Sequence, residues 1–408
     1  MTSLAIFSGD FCRGSSVVEE ILGRTGLKLV TDQELVTRAA GLADLSSDRI
    51  ERAFSPRTSV FDRFTHEKGR ALACLRLAMA DLVAAESGLL LAGYLGHLVP
   101  HEITHVMKVC LIADLKFRVQ TAIAEQGLSE KAATRLIGEL DEVRRHWVKS
   151  LHLGNDPWRA ELYDIVIPMA TTGVAEAADL VTEYLGKEAV APDRASRQAV
   201  ADFKLAAEVA MVLAREGHEV EATARNGVVT LTVHKHVLLF NRLAEELREI
   251  VGPIPGVSEV RVEVGKEFHR ADIYRKHDFD IPSKVLLVDD EREFVKTLSE
   301  RLILRDMGSA VAYDGQSALE IIAADDPEVL VLDLKMPGID GMEVLRRVRK
   351  IRPGVEVIIL TGHGTEEDRK TCMELGAFAY LQKPVDIDLL IVKLREAHDR
   401  VRQSRRSS

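Results

Sequence analysis

From Lys284 towards the carboxyl end, short unbroken apolar runs alternate with stretches whose apolar residues recur every three or four positions. Unbroken runs of that length suit strands buried on both faces, and the helical rhythm between them supplies the cover. The first run, KVLLV from Lys284 to Val288, ends in Asp289, Asp290 and Glu291. The next begins at Val329 and ends in Asp333, with a Pro337-Gly338 turn close behind; VEVIILTG then ends in Thr361, and FAYLQKP in Lys383 before Pro384. The pattern predicts a parallel α/β sheet whose carboxyl edge gathers acids, a hydroxyl and an ammonium. That edge is where open α/β sheets place their ligands.

Residues 1 to about 188 also alternate. LAIFS (Leu4 to Ser8) reads as a buried strand, followed by a glycine and serine loop, Gly9 to Ser16, and a helical pattern with Val17, Val18, Ile21 and Leu22 on one side. LLLAG, HVMKVCLIA and YDIVIP read as further strands, with helical stretches from Asp114 through Arg118, in GELDEVRRHWVKS and after YDIVIP. Between Ala191 and Pro282 the pattern changes. A helix stopped by Gly217 leads into a hairpin, VEATA and VVTLTV around Asn226-Gly227, then into a second helix, VLLFNRLAEELREIV, and a last strand in PGVSEVRVEVG. A small α+β middle domain over 192–266 is expected, with the mixed-charge segment 267–282 as a linker. The basic tail from Arg400 to Ser408 reads as the solvated end of the last helix.

Composition narrows the class. The 408 residues leave room for two or three domains with their own cores. A net charge of −10 and a pI near 5.8 argue against a general nucleic-acid binder. No helix-turn-helix with a basic recognition helix stands out, so DNA-binding output is not expected. Cys12, Cys74, Cys110 and Cys372 lie far apart with no paired spacing, which fits reduced thiols better than a disulfide frame or a zinc knuckle. The amino terminus lacks a basic segment followed by a long apolar core. The longest apolar run, Gly88 to Val99, is too short for a bilayer and is interrupted by glycines and a histidine. A soluble, cytoplasmic protein without membrane insertion is the expectation.

The acids at the strand ends have a chemical logic. Carboxylates crowded at one edge repel one another by roughly 1 to 4 kcal/mol per pair at about 4 Å. A divalent cation relieves that repulsion, and Mg²⁺ prefers hard oxygen ligands while keeping several waters. Asp333 is then free to act as a nucleophile toward phosphorus, with Thr361 and Lys383 holding the phosphoryl oxygens. On these positions the segment 283–402 resembles the receiver domain of two-component response regulators. The resemblance implies a doubly wound, five-stranded flavodoxin-like fold, Asp333 as phosphoacceptor, and Asp289, Thr361 and Lys383 as its catalytic companions. It further implies Mg²⁺ on Asp290, Asp333 and the Lys335 backbone carbonyl, Thr361 and Tyr380 as the switch pair, and a sensor histidine kinase as partner.

Two weaker resemblances concern the rest of the chain. LAIFSGDFCRGSS, TDQELV, LLLAGYLG, LIADLKFRV, the Asp141 and Arg144 region and YDIVIPM together resemble the cytidylate kinase-like family over nearly all of residues 3 to 185. This implies a P-loop kinase-like α/β domain over 1–188, with Arg13, Gly14, Ser15, Arg118 and Arg144 as candidate phosphate-binding residues and a nucleotide as ligand. Departures point to lost or weakened phosphoryl transfer. Ser15 and Ser16 follow Gly14 where a phosphate-binding loop wants a lysine, Cys12 and Arg13 stand where the family has a glycine and a small residue, and Tyr94 follows Gly93 where it has an arginine. NGVVTLTV and PGVSEVRVEV are similar to BON domains, which suggests docking or dimerisation, and so a homodimer, for the middle segment.

Two further motifs are set aside. His101-Glu102-Ile103-Thr104-His105 matches H-E-x-x-H, which binds zinc only on a helix; the strand-like HVMKVCLIA that follows argues against it. His234-Lys235-His236 reads as the solvent face of a strand. The expectation is a response regulator whose receiver follows its output region. The alternative is a nucleotide kinase, active on ATP and CMP, that the receiver regulates.

Overall fold

The computed structural model describes residues 1–42, 45–53, 67–234, 240–265, 282–305, 307–362 and 364–406. It divides into two compact units, the first holding three-stranded and five-stranded sheets and the second a further five-stranded sheet.

In the first unit, β1 (Ser3–Ser8), β2 (Lys28–Thr31), β3 (Leu89–Ala92), β4 (Val106–Ile112) and β5 (Ile165–Pro168) form a parallel sheet in the order β2-β3-β1-β4-β5. Alternation along β1 feeds two cores. Leu4 and Ile6 join Val17 and Ile21 of helix Gly14–Thr25, and Ala177 and Val181 of helix Val174–Leu185. Ala5 joins Leu35 of helix Asp32–Leu42, and Leu75 and Leu82 of helix Glu67–Ala85. Helix Glu67–Ala85 escapes a reading by period because it is buried almost all round, mostly through small residues.

The same unit contains β6 (Glu221–Arg225), β7 (Val228–Val233) and β8 (Glu259–Val264). β6 and β7 are an antiparallel hairpin, and Asn226 and Gly227, at φ 50° and 82°, make the two-residue turn that favours this dipeptide. β8 pairs parallel to β7 on its other side. Helix Arg194–Arg215 starts at Asp193, whose side chain accepts from the Ser196 N–H. It serves two cores. Val200, Phe203, Ala207 and Met211 pack with the kinase-like part, whereas Leu205, Val209 and Leu213 pack with Val229, Leu231 and Leu247.

The second unit holds β9 (Val285–Val288), β10 (Ser309–Ala312), β11 (Val329–Leu332), β12 (Glu356–Thr361) and β13 (Ala379–Gln382), all parallel in the order β10-β9-β11-β12-β13. Helices Arg292–Ile303 and Ile387–Arg406 cover one face, and Gly315–Asp325 and Gly341–Ile351 the other. This is the doubly wound flavodoxin-like arrangement expected for the segment.

His101 and Glu102 lie in a turn and β4 begins at Val106, so H-E-x-x-H has no helix on which to bind zinc. His105 instead meets the Ser196 hydroxyl at 2.5 Å. His234 pairs with Glu221 at 2.7 Å; Lys235, His236 and nearly all of the expected linker lie outside the described residues. All four cysteines are unbridged and buried. Among the described residues no helix is long and apolar enough to cross a membrane.

Candidate functional site

Strand register builds the site in the second unit. Val288 of β9 is paired with Leu332 of β11, so Asp289 and Asp333 leave the sheet side by side, and the Asp333 N–H donates to the Val288 carbonyl at 2.9 Å. Thr361 ends β12 next to Gln382 of β13, and the Lys383 N–H donates to the Thr361 carbonyl at 2.9 Å. Oxygens of Asp289, Asp290 and Asp333 lie within 4.8 Å of one another. Asp289 and Asp333 are buried while Asp290 faces solvent. One exposed and two buried carboxylates thus share the edge, with only Asp290 exposed to solvent. Gly341 starts its helix where a β-carbon would run into the Asp333 backbone, so that helix can begin directly against the loop.

Lys383 supplies the counter-charge. Its Nζ lies 2.6 Å from Asp289 Oδ2, 3.0 Å from Glu291 Oε1 and 3.7 Å from Asp333 Oδ2, above the Phe294 ring at 4.5 Å. Burial works to lower the Lys383 pKa, but its hydrogen bonds and charge pairing with the acids carry it above the ordinary lysine value. Burial raises Asp289 above the usual carboxylate range although Lys383 and the Glu291 N–H both oppose this. Thr361 is fully buried. The Tyr380 hydroxyl is enclosed, makes no hydrogen bond among the described residues and occupies the space that a β-carbon on Gly364 would need. Lys335 is exposed on the loop after Asp333. Glu291 and Phe294 also surround the lysine, contacts that the strand-end pattern does not predict.

The kinase-like candidates meet other fates. Helix Gly14–Thr25 begins after Arg13, and both Phe11 and Arg13 have φ near +60° (62° and 56°), a conformation that costs a residue with a β-carbon roughly 1–2 kcal/mol. Arg13 is exposed and stacks on Phe117, and Ser15 is exposed on the first turn. Arg118 forms a two-pronged pair with Asp141 at 2.9 and 2.7 Å and donates to the Asp10 carbonyl at 2.9 Å. Arg144 pairs with the Asp10 carboxylate. The loop thus gathers the expected arginines, but the chain's own carboxylates hold Arg118 and Arg144.

Comparison with known proteins agrees with this division. Residues 285–395 match the response regulator receiver domain model, and residues 8–171 match the cytidylate kinase-like family. Response regulator MprA of Mycolicibacterium vanbaalenii is 34% identical over 115 residues, covering 28% of this chain and 50% of that protein. Transcriptional regulatory protein GlrR of Escherichia coli is 34% identical over 116 residues, 28% of this chain and 26% of that one. A response regulator receiver domain protein from Clostridium thermocellum is 34% identical in sequence, covering 29% of this chain and 97% of that structure, at a TM-score of 0.29. The chain spans about half the length of the first curated relatives it matches. Its segment 285–395 is a receiver domain of the two-component response regulators, carried together with a segment of cytidylate kinase-like sequence.

Proposed function

We propose that the whole protein is a cytoplasmic response regulator in which a sensor histidine kinase phosphorylates Asp333. The observation that carries this is the meeting of Asp289, Asp290 and Asp333 at one sheet edge with Lys383 as their ammonium. An Asp333 carboxylate oxygen attacks phosphorus, the bond from phosphorus to the donor nitrogen breaks, and an aspartyl phosphate remains. Lys383 then moves its hydrogen bonds from the acids to the phosphoryl oxygens, and the Thr361 hydroxyl donates to another. The donor set fits Mg²⁺, because one ammonium leaves the crowded carboxylates short of positive charge. Asp290, Asp333 and the Lys335 carbonyl would hold the ion, with Asp289 assisting. When bound, Mg²⁺ neutralises charge on the phosphoryl group.

The switch follows from packing. Drawing Thr361 toward the phosphate changes the space beside Tyr380, whose ring repacks and alters the surface of the receiver. In this reading the segments are an output region of kinase-like origin over 1–188, a BON-like docking or dimerisation domain over 192–266, a linker over 267–282 and the receiver over 283–402. The pairing of Arg118 with Asp141 and of Arg144 with Asp10 supports an output region that does not transfer phosphate. Labelling by phosphoramidate in the presence of Mg²⁺ tests the assignment. The wild type should incorporate phosphate and Asp333→Asn should not; undiminished labelling of the variant rejects Asp333.

The family match over residues 8–171 favours one second reading, a nucleotide kinase under receiver control. It requires turnover of ATP with CMP that responds to beryllofluoride treatment of the full-length chain. We expect no turnover in either state.

A further inference from the structure

The three-stranded sheet of the first unit ends on β8, which pairs with β7 and with no other strand among the described residues. β6, the strand at the opposite edge, packs against helix Arg194–Arg215, whereas β8 rests one face on helix Phe240–Val251. A strand at the end of a sheet presents a row of N–H and C=O groups that can pair with another chain, and proteins commonly guard such an edge with like charges, above all lysine. β8 carries charges of both signs instead.

Its sequence, Glu259-Val260-Arg261-Val262-Glu263-Val264, alternates in two ways. Val260 and Val262 are half-buried against the core of Val229, Leu231 and Leu247, and Val264 continues their face into solvent at 52% exposed. Glu259, Arg261 and Glu263 form the other face and are all exposed, with Arg261 bonded to Glu259 at 2.8 and 3.0 Å. The charges along that face run minus, plus, minus.

Such an order is self-complementary when two copies pair antiparallel about a twofold axis. Residues directly opposite one another share a face, so an axis passing between two residues would set valines against charges. An axis through Arg261 would oppose Arg261 to its own copy and Glu259 to the partner's Glu263, like charge on like. An axis through Val260 would match Glu259 with the partner's Arg261 but leave Val262 and Val264 opposite Ser258 and Gly256, which lie before the strand. An axis through Val262 opposes Arg261 to the partner's Glu263 at two symmetric places, Val262 to its own copy, and Val264 to the partner's Val260. This register opposes no like charges and gives the exposed Val264 an apolar neighbour.

We propose that the protein self-associates through β8, two copies pairing antiparallel about Val262 so that two three-stranded sheets become one of six strands. The proposal rests on the reading of the middle domain as a docking or dimerisation module, and it names the partner, a second copy of the chain, and the edge that meets it. An edge of six residues with exposed ion pairs is a small interface, so reversible association that depends on concentration is expected rather than an obligate dimer.

The test is sedimentation equilibrium of the full-length protein over a wide range of concentration. The wild type should show a monomer–dimer equilibrium. Arg261→Glu opposes acid to acid and Glu263→Arg opposes base to base, each at two places, so each variant alone should weaken association by about tenfold. Mixed one to one, the two variants should recover association, because every charge in the mixed pair then meets its opposite. Both side chains are exposed, and recovery in the mixture excludes misfolding as the cause of the loss. A wild type that stays monomeric throughout overturns the proposal and leaves the middle domain to dock another partner. A dimer that neither variant weakens overturns the proposal alone and places the contact on another surface. Two weakened variants that do not recover on mixing overturn the pairing about Val262.

Discussion

Lys383 is the residue on which the receiver site is balanced. With Asp289 and Asp333 buried and Glu291 drawn to the same ammonium, removing the lysine leaves acids facing acids. We expect Lys383→Met to lower the stability of the receiver to urea by about 3 kcal/mol, the usual loss when one partner of a buried ion pair is deleted. Millimolar Mg²⁺ should restore part of it; an unchanged urea midpoint would show that the lysine does not balance the acids. Asp32 offers a second residue-scale measurement. It accepts from the Tyr94 and Leu95 N–H groups at 2.9 and 3.0 Å, and burial pushes its pKa up to about 6. A folded value above the unfolded one contributes stability that is complete below about pH 4 and is lost as the pH rises through about 6. The contribution is on the order of 3 kcal/mol. Asp32→Asn should flatten that part of the stability curve in pH-dependent unfolding, and a curve identical to wild type would refute the burial argument.

The acids, Thr361 and Lys383 were legible in the sequence because each ends a short apolar run, and parallel strands bring their carboxyl ends to one edge whatever their order. Which cation meets which acid was not legible. Arg118 and Arg144 read as phosphate ligands, and their pairing with Asp141 and Asp10 was not foreseen, since distance along the chain says nothing about which carboxylate a guanidinium reaches.

At the scale of the element, helix Arg194–Arg215 decides how the first unit behaves. Its periodic apolar residues made the helix itself plain, but an apolar stripe does not say how many cores it will serve. The helix presents Phe203 and Met211 to one core and Leu205 and Leu213 to another. Leu213→Ala should cost about 3 kcal/mol, and because the helix is common to both cores, β1 to β8 should still melt in one transition. Two separated transitions in calorimetry would show that the helix does not couple them. Helix Glu67–Ala85 illustrates the opposite difficulty. Its buried residues, from Ala71 to Val83, lie on nearly every side, so no broad polar face marks its period.

At the scale of the whole molecule, the chain carries a receiver segment with three carboxylates at one sheet edge and a kinase-like segment in which Arg118 and Arg144 are paired with Asp141 and Asp10. That combination is what favours signalling by phosphorylation of Asp333 over nucleotide turnover. Thiol chemistry follows the burial of all four cysteines. Burial pushes Cys12 and Cys372 up to about 11, so iodoacetamide at pH 8 should label the native protein far more slowly than the unfolded chain. Rapid labelling of the native state would contradict the packing around them.

The most direct measurement is to locate the phosphoryl group. Full-length protein treated with phosphoramidate and Mg²⁺, reduced with borohydride to convert any aspartyl phosphate to homoserine, and digested for mass spectrometry should show homoserine at position 333 and at no other aspartate. Reduction at Asp289 or Asp290, or phosphate stable on another residue type with Asp333 unmodified, would contradict the account.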